Sequence, residues 1–105
     1  MPRQKLQTLT EQMFYILLCL KTPCRGIDIF DRIADRTGGR VNVGSGTLYD
    51  LLEQFLEAGL IRETDRDGRR RSYVLADSGK ETLAKEAERL RAQLADYNDS
   101  FGGEN

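Results

Sequence analysis

Hydrophobic positions recur at helical spacing in the first third of the chain and predict two helices. An S/T-x-x-E capping box at Thr8 and Glu11 precedes a run that is apolar almost all round, which is typical of a helix buried on several sides. Pro23 ends this helix. The next segment places Ile29 and Ile33 on one face and charged residues on the other until a Gly-Gly pair interrupts it, as in an amphipathic helix.

A third helix and a β-hairpin are predicted to follow. Gly44 or Ser45 can cap the third helix, whose apolar residues keep helical spacing until Gly59 stops it. The chain then becomes extended, residues 65–68 (DRDG) favour a turn, and residues 69–75 return as a second strand. This pattern predicts a two-stranded hairpin with a charged tip.

The last part of the chain has the spacing of a coiled-coil helix. Residues 81–97 contain neither Gly nor Pro, and the apolar positions that begin there are separated by 4, 3, 4, 3 and 4 residues. A cap is expected either from Asp77 or from a Ser78–Glu81 capping box. The apolar positions are Leu83, Ala87, Leu90, Leu94, Tyr97 and Phe101.

Composition narrows the possible functions. Sixteen Lys and Arg against seventeen Asp and Glu leave a net charge of −1 over 105 residues, so no overall positive field attracts nucleic acid or anionic lipid. The chain contains no His, which excludes His-based catalytic triads and His-rich metal sites. We therefore predict no enzyme activity, no cofactor and no metal. Since no apolar run is long enough for a membrane helix and no signal-peptide pattern is present, we predict a cytoplasmic protein without membrane contact.

Positive charge is nevertheless concentrated in the predicted hairpin. Residues 62–73 carry five Arg against three acidic residues, whereas the residues from 76 onward carry four basic and seven acidic ones. A hairpin with this charge attracts phosphate. The alternative is an arginine-rich tip that is only solvated.

Three helices followed by a hairpin is the order of a winged helix-turn-helix. Within that order stand GTLY at 46–49, AGLI at 58–61 and DGRRRSYVL at 67–75, with RGIDI at 25–29 and Gly79 at the last helix. In this combination the motifs resemble the PadR family of bacterial transcriptional regulators over nearly the whole chain.

The resemblance implies a mainly α fold, a winged helix-turn-helix of three helices and a two-stranded wing with a long C-terminal dimerisation helix. Residues 8–76 would form the DNA-binding domain, and residues 77–101 the dimerisation helix packed on it. The implied function is sequence-specific regulation of transcription, as a repressor that binds double-stranded DNA as a homodimer on an inverted-repeat operator. The heptad spacing independently indicates the dimer, with contacts expected at Leu83, Ala87, Leu90, Leu94 and Tyr97.

The expected DNA contacts lie on the third helix and in the wing. Thr47 and Gln54 can hydrogen-bond base edges or phosphate from the major groove. Tyr49 either donates to phosphate or is a core aromatic residue with its hydroxyl at the surface. The predicted set is Ser45, Thr47, Tyr49, Gln54, Arg69, Arg70 and Arg71.

A small aromatic effector is a further implication, since relatives in the family respond to phenolic or cationic aromatic compounds. Phe14, Tyr15, Tyr97 and Phe101 are the candidate lining of its cavity, although aromatic residues at helical spacing are more often core. Residues 25–28 read RGID where many relatives have a His-Gly-Tyr-Glu-like stretch, so an aromatic side chain near the domain core or the ligand cavity is missing.

Cys19 and Cys24 are expected to be ordinary thiols. A redox role is the alternative, and it depends on Cys24 having a pKa lowered by its neighbour Arg25. Two thiolates without His leave a zinc site short of ligands.

A protein-interaction module with the same fold is the competing interpretation. Asp50, Glu53 and Glu57 lie on the polar face of the third helix and repel phosphate. The net charge near zero points the same way, toward a partner protein in place of DNA.

Overall fold

Four helices and a small antiparallel sheet make up the part of the chain that the structure describes. The computed structural model describes residues 8–67 and 70–102, with the backbone alone at residues 66, 67 and 70. The elements are α1 Glu11–Cys19, β1 Cys24–Arg25, α2 Gly26–Thr37, α3 Ser45–Ala58, β2 Ile61–Asp67, β3 Arg70–Leu75 and α4 Asp77–Phe101. This is the mainly helical winged fold that the sequence predicts.

α1 begins at a different residue from the one predicted. The N-cap is Thr10 and not Thr8, because the Thr10 hydroxyl accepts a hydrogen bond from the Met13 backbone N–H at 3.1 Å. The helix ends at Cys19, and the Leu20 N–H donates back to the Leu17 carbonyl.

The sheet has three strands in the order β1-β3-β2, one more than predicted. Cys24 pairs with Tyr73 and Arg25 with Ser72, so the residues that precede α2 extend the hairpin on its β3 side. β2 continues to Asp67, so the predicted turn at 65–68 is wrong in position, and residues 68 and 69 lie outside the described part. A bulge between Glu63 and Asp65 interrupts the pairing of β2 with β3.

The core lies where the three N-terminal helices meet the sheet. α3 ends at Gly59, whose φ of 79° is the left-handed conformation that glycine adopts without strain. Burial of the apolar side chains of the core supplies the main driving force for folding. The largest fully buried side chains are Tyr73, Phe55, Ile16, Leu17, Leu20, Ile29, Ile33, Leu48 and Leu52.

α4 packs its first turns on this core. Its N-cap is Ala76, so neither Asp77 nor Ser78 supplies the predicted side-chain cap; the Ser78 hydroxyl instead donates to the Gly59 carbonyl at 2.6 Å. Gly79 is buried against the Leu60 carbonyl. This close approach joins the start of α4 to the end of α3.

Further along α4, the charged side chain of Glu86 is buried within the part of the chain that the structure describes. Arg89 pairs with its carboxylate, and the Leu9 backbone N–H also donates to it. These hydrogen bonds hold the pKa of Glu86 below its ordinary value, with the Arg89 contact as the largest cause.

Candidate nucleic-acid interface

The first turn of α3 faces solvent. Ser45, Thr47 and Tyr49 are exposed, whereas Leu48 between them is fully buried and fixes the turn on the core. Gly44 at the N-cap has no side chain to accept from the first backbone N–H groups. Those groups and the positive end of the helix dipole are therefore available to a phosphate beside the three polar side chains.

The Tyr49 ring lies against the start of α2. A Cβ built on Gly26 would stand 3.1 Å from Tyr49 Cε1 and 3.4 Å from its hydroxyl oxygen. Because Gly26 has no side chain, the ring packs on that backbone while 44% of Tyr49 stays exposed. Sequence reasoning missed this role of Gly26, although the glycine at the start of a helix was a signal.

Gln54 lies apart from that turn. It is half-buried two turns after Thr47, and its side-chain amide donates to Asp50 at 3.2 Å. Its contact with DNA stays a prediction.

Arg71 in the wing forms hydrogen bonds with other residues of its own chain. Its Nε and Nη2 donate to the two carboxylate oxygens of Glu63 at 3.1 and 3.2 Å, and Nη1 lies 3.5 Å from Glu53 on α3. The guanidinium also stands 5.5 Å from the centre of the Tyr73 ring. The hydrogen bonds with Glu63 raise the pKa of Arg71. Arg69 lies outside the described residues, and Arg70 is described by its backbone.

The acidic residues of α3 keep most of their negative charge. Asp50 accepts from Gln54, which is neutral, and Glu53 shares the Arg71 guanidinium with Glu63. Glu57 is exposed further along the helix, away from the first turn. The repulsion of phosphate by these acids therefore persists beside the uncapped start of α3.

The predicted dimer contacts divide into two groups along α4. Leu83 packs against the core of its own chain, and Ala87 is half-buried. The last positions project into solvent at 41–59% exposure. This exposed apolar stripe consists of Leu90, Leu94, Tyr97 and Phe101.

The four aromatic residues predicted to line an effector cavity form two separate ring pairs. Phe14 and Tyr15 on α1 meet edge to face at 5.5 Å, while Tyr97 and Phe101 on α4 lie 4.9 Å apart. Within residues 8–67 and 70–102, no ring contact joins the pairs. A cavity of about 550 Å³ lies between α1, β3 and α4, and its lining consists of Phe14, Leu18, Lys21, Leu75, Lys80, Leu83, Ala84 and Ala87.

Neither cysteine has the lowered pKa that a reactive thiol needs. Burial is the largest cause that raises the pKa of both Cys19 and Cys24, and it outweighs the opposing effect of Arg25 on Cys24. Among the described residues no group of three metal-binding side chains occurs. In the same residues no helix is long and apolar enough to cross a membrane.

Comparison with solved structures shows the same fold in several proteins, among them two transcriptional regulators. A PadR family transcriptional regulator from Eggerthella lenta is 25% identical, with a TM-score of 0.68 over 90% of this chain and 83% of that one. A transcriptional regulator from Clostridium thermocellum reaches a TM-score of 0.72 at 18% identity, covering 85% and 90% of the two chains. RosR from H. salinarum has a TM-score of 0.66 at 22% identity, covering 90% and 96%.

The sequence comparison agrees with the structural one. No curated protein matches the chain. Residues 16–85 match the family described as Transcriptional regulator PadR-like family, and that range runs from α1 into α4. The family is one of regulators and not of enzymes. The chain therefore belongs to the PadR-like family of transcriptional regulators.

Proposed function

We propose that this chain binds double-stranded DNA sequence-specifically as a homodimer and represses transcription from an inverted-repeat operator. The observation that carries the proposal is the exposed first turn of α3, where Ser45, Thr47 and Tyr49 stand beside uncapped backbone N–H groups. A helix N-terminus of this kind suits both phosphate contact and base reading in the major groove.

The wing supports the same surface from a second element. β2 ends at Asp67 and β3 begins at Arg70, and in the sequence Arg69 and Arg70 follow closely after β2. Phosphate contacts from a wing position the helix without reading sequence. The α3 turn would then supply specificity and the wing arginines affinity.

The exposed apolar stripe of α4 supports the homodimer. Four large apolar side chains in a row, at heptad spacing, are costly to leave in water and are buried when a second copy pairs with them. Two α3 helices related by a two-fold axis then read an inverted repeat.

Release of the operator by a small aromatic ligand is the last part of the proposal. Its support is the 550 Å³ cavity, where Phe14 and Leu18 offer apolar surface and Lys21 and Lys80 offer positive charge. The cavity lies against both α4 and the core, so a ligand there contacts the helix proposed to pair the two subunits.

Titration of DNA binding against salt tests the central part. Affinity for duplex DNA is expected to fall steeply as salt rises, with a log–log slope of about −0.9 per phosphate neutralised. Thr47→Ala is expected to weaken binding to a selected operator by about 1–3 kcal/mol and binding to random duplex much less. Thr82→Ala, the same substitution at a half-buried position of α4, is the control. Salt-independent DNA binding, or no binding, would favour the protein-interaction alternative.

A further inference from the structure

Glu53, Glu63 and Arg71 join three elements, α3, β2 and β3, in what we call the Arg71 cluster. All three guanidinium nitrogens have a carboxylate partner, two on Glu63 at 3.1 and 3.2 Å and one on Glu53 at 3.5 Å. The Glu63 contact is a two-point fork, the geometry that only arginine provides. Arg71 and Glu63 are both half-buried, at 30% and 26% side-chain exposure, so water screens their contact less than it screens a surface pair.

The cluster spans the irregular part of the hairpin. Glu63 pairs with Tyr73, but Asp65 pairs with Ser72, so Thr64 is the extra residue of the bulge. Arg71 itself pairs with Arg66 on the tip side of this bulge, while its guanidinium reaches back to Glu63 on the core side. A bulge bends a strand and increases its twist, so this contact spans the bend that leads to residues 65–67 and 70–72, which we call the outer hairpin.

The cluster also connects the outer hairpin to α3. Glu53 lies one turn after Tyr49 on the helix whose first turn is the proposed reading surface. The guanidinium stands over the ring of Tyr73, which is buried in the core at 2% exposure. Arg71 therefore links the outer hairpin both to α3 and to the core.

We propose that the Arg71 cluster holds the outer hairpin at a fixed position relative to the first turn of α3, which makes Arg71 a positioning residue for DNA binding. This inference rests on the proposed DNA-binding function. It differs from the sequence-based expectation that all three wing arginines contact phosphate.

The net charge of the cluster allows a positioning role to be distinguished from a purely electrostatic one. Two carboxylates and one guanidinium sum to −1, so the cluster as a unit repels phosphate. If charge alone mattered, removing a carboxylate would strengthen DNA binding. If the cluster positions the outer hairpin, removing the Glu63 carboxylate weakens binding in spite of the more favourable charge.

The test compares Glu63→Gln, Arg71→Lys and Glu57→Gln in the full chain, using the operator selected by the wild-type protein. Glu57 is an exposed acid on the same helix and outside the cluster, so its variant is matched in charge to Glu63→Gln. We expect Glu63→Gln and Arg71→Lys each to weaken binding by about fivefold, the scale of one lost charged hydrogen bond that is partly exposed. Glu57→Gln is expected to bind as tightly as the wild type or more tightly.

Two further readouts separate positioning from direct contact. Arg71→Lys keeps the charge, so a residue that neutralises phosphate retains its affinity as Lys, whereas the two-point fork is lost. In the free protein, amide hydrogen exchange at 65–67 and 70–72 is expected to speed up in Glu63→Gln and Arg71→Lys but not in Glu57→Gln. Thermal melting followed by circular dichroism checks that each variant is folded.

Tighter binding by Glu63→Gln together with wild-type affinity of Arg71→Lys would overturn the inference. A fall of about one unit in the salt slope of Arg71→Gln, restored in Arg71→Lys, would assign Arg71 to direct phosphate contact instead. Absence of salt-dependent DNA binding by the wild type would count against the proposed function. Amide exchange would then still decide whether the cluster holds the outer hairpin.

Discussion

Gly79→Ala is the substitution with the clearest structural consequence for stability. Gly79 is the third residue of α4 and is buried where that helix crosses the end of α3. An added Cβ would lie 2.1 Å from the Leu60 carbonyl oxygen and 2.8 Å from Leu75 Cδ2. The oxygen belongs to backbone, so it cannot turn away as a flexible side chain would.

The magnitude follows from the displacement that the methyl group requires. Ordinary contact begins at 3.4 Å, so α4 and the Leu60 backbone must separate by about 1.3 Å. That movement breaks the hydrogen bond from the Ala76 N–H to the same oxygen, now 2.9 Å long, at a cost of about 1 kcal/mol. Overpacking adds about 1–3 kcal/mol, and the higher helix propensity of Ala returns up to about 1 kcal/mol. The net expectation is a loss of about 1–3 kcal/mol.

Thermal unfolding at a fixed protein concentration measures this loss, since the proposed dimer would make stability depend on concentration. A chain of this size should lose about 4 °C of Tm per kcal/mol, or about 4–12 °C. Gly46→Ala is the control, because it lies at the second position of α3 with no atom within 4 Å of the added Cβ. That variant should be as stable as the wild type or up to about 1 kcal/mol more stable. Equal stability of Gly79→Ala and Gly46→Ala would refute the packing argument.

Three further predictions concern α4 and the thiols. Leu90→Asp should weaken the dimer by at least about 2 kcal/mol, or about thirtyfold, while Lys85→Asp on the exposed helix surface should not. If sedimentation shows both variants to be dimeric, the dimer contact does not lie on the exposed apolar stripe. The pKa of Glu86 is lower in the folded than in the unfolded chain, so its contribution to stability is present above the ordinary Glu pKa of about 4.3 and is lost as pH falls through the lower folded value. Glu86→Gln should flatten that part of the curve of stability against pH, and an unchanged curve would contradict the Arg89 contact. Because burial raises the pKa of Cys19 and Cys24, both should react with iodoacetamide near pH 7 more slowly in the folded than in the unfolded protein, and rapid alkylation of the native chain would contradict this.

Local signals in the sequence predicted most of the helical framework. α3 begins after Gly44 and ends before Gly59, whose left-handed backbone conformation stops the helix. The heptad spacing predicted a long last helix, and α4 extends from Asp77 to Phe101. These signals depend on few residues close together in the chain.

Features that depend on tertiary contacts were missed or misplaced. β1 is two residues long, and only its pairing with β3 makes it a strand. Thr8 and Thr10 can both cap a helix, and it is Thr10 that accepts the Met13 N–H. The fixed position of Gly79 against Leu60 has no counterpart in local sequence.

The wing shows the same limit at the candidate site. Period-two alternation puts Arg71 on the face of the buried Tyr73, a signal that was available in the sequence. The partner of Arg71 was not readable, because the bulge at 63–65 sets which β2 residue it meets. The sequence therefore indicated a basic hairpin, but not which of its arginines forms hydrogen bonds within the chain.

Selection of bound sequences from a random duplex pool with purified protein tests the central claim most directly. The account predicts enrichment of an inverted repeat whose half-sites are spaced by about 10–10.5 bp or a multiple of it, bound on the order of 10³-fold or more tighter than random duplex. Inserting five base pairs between the half-sites should abolish that advantage, since it rotates them to opposite faces of the DNA. A selection that enriches no sequence, or an operator bound equally well with the insertion, would contradict a two-fold DNA-binding regulator.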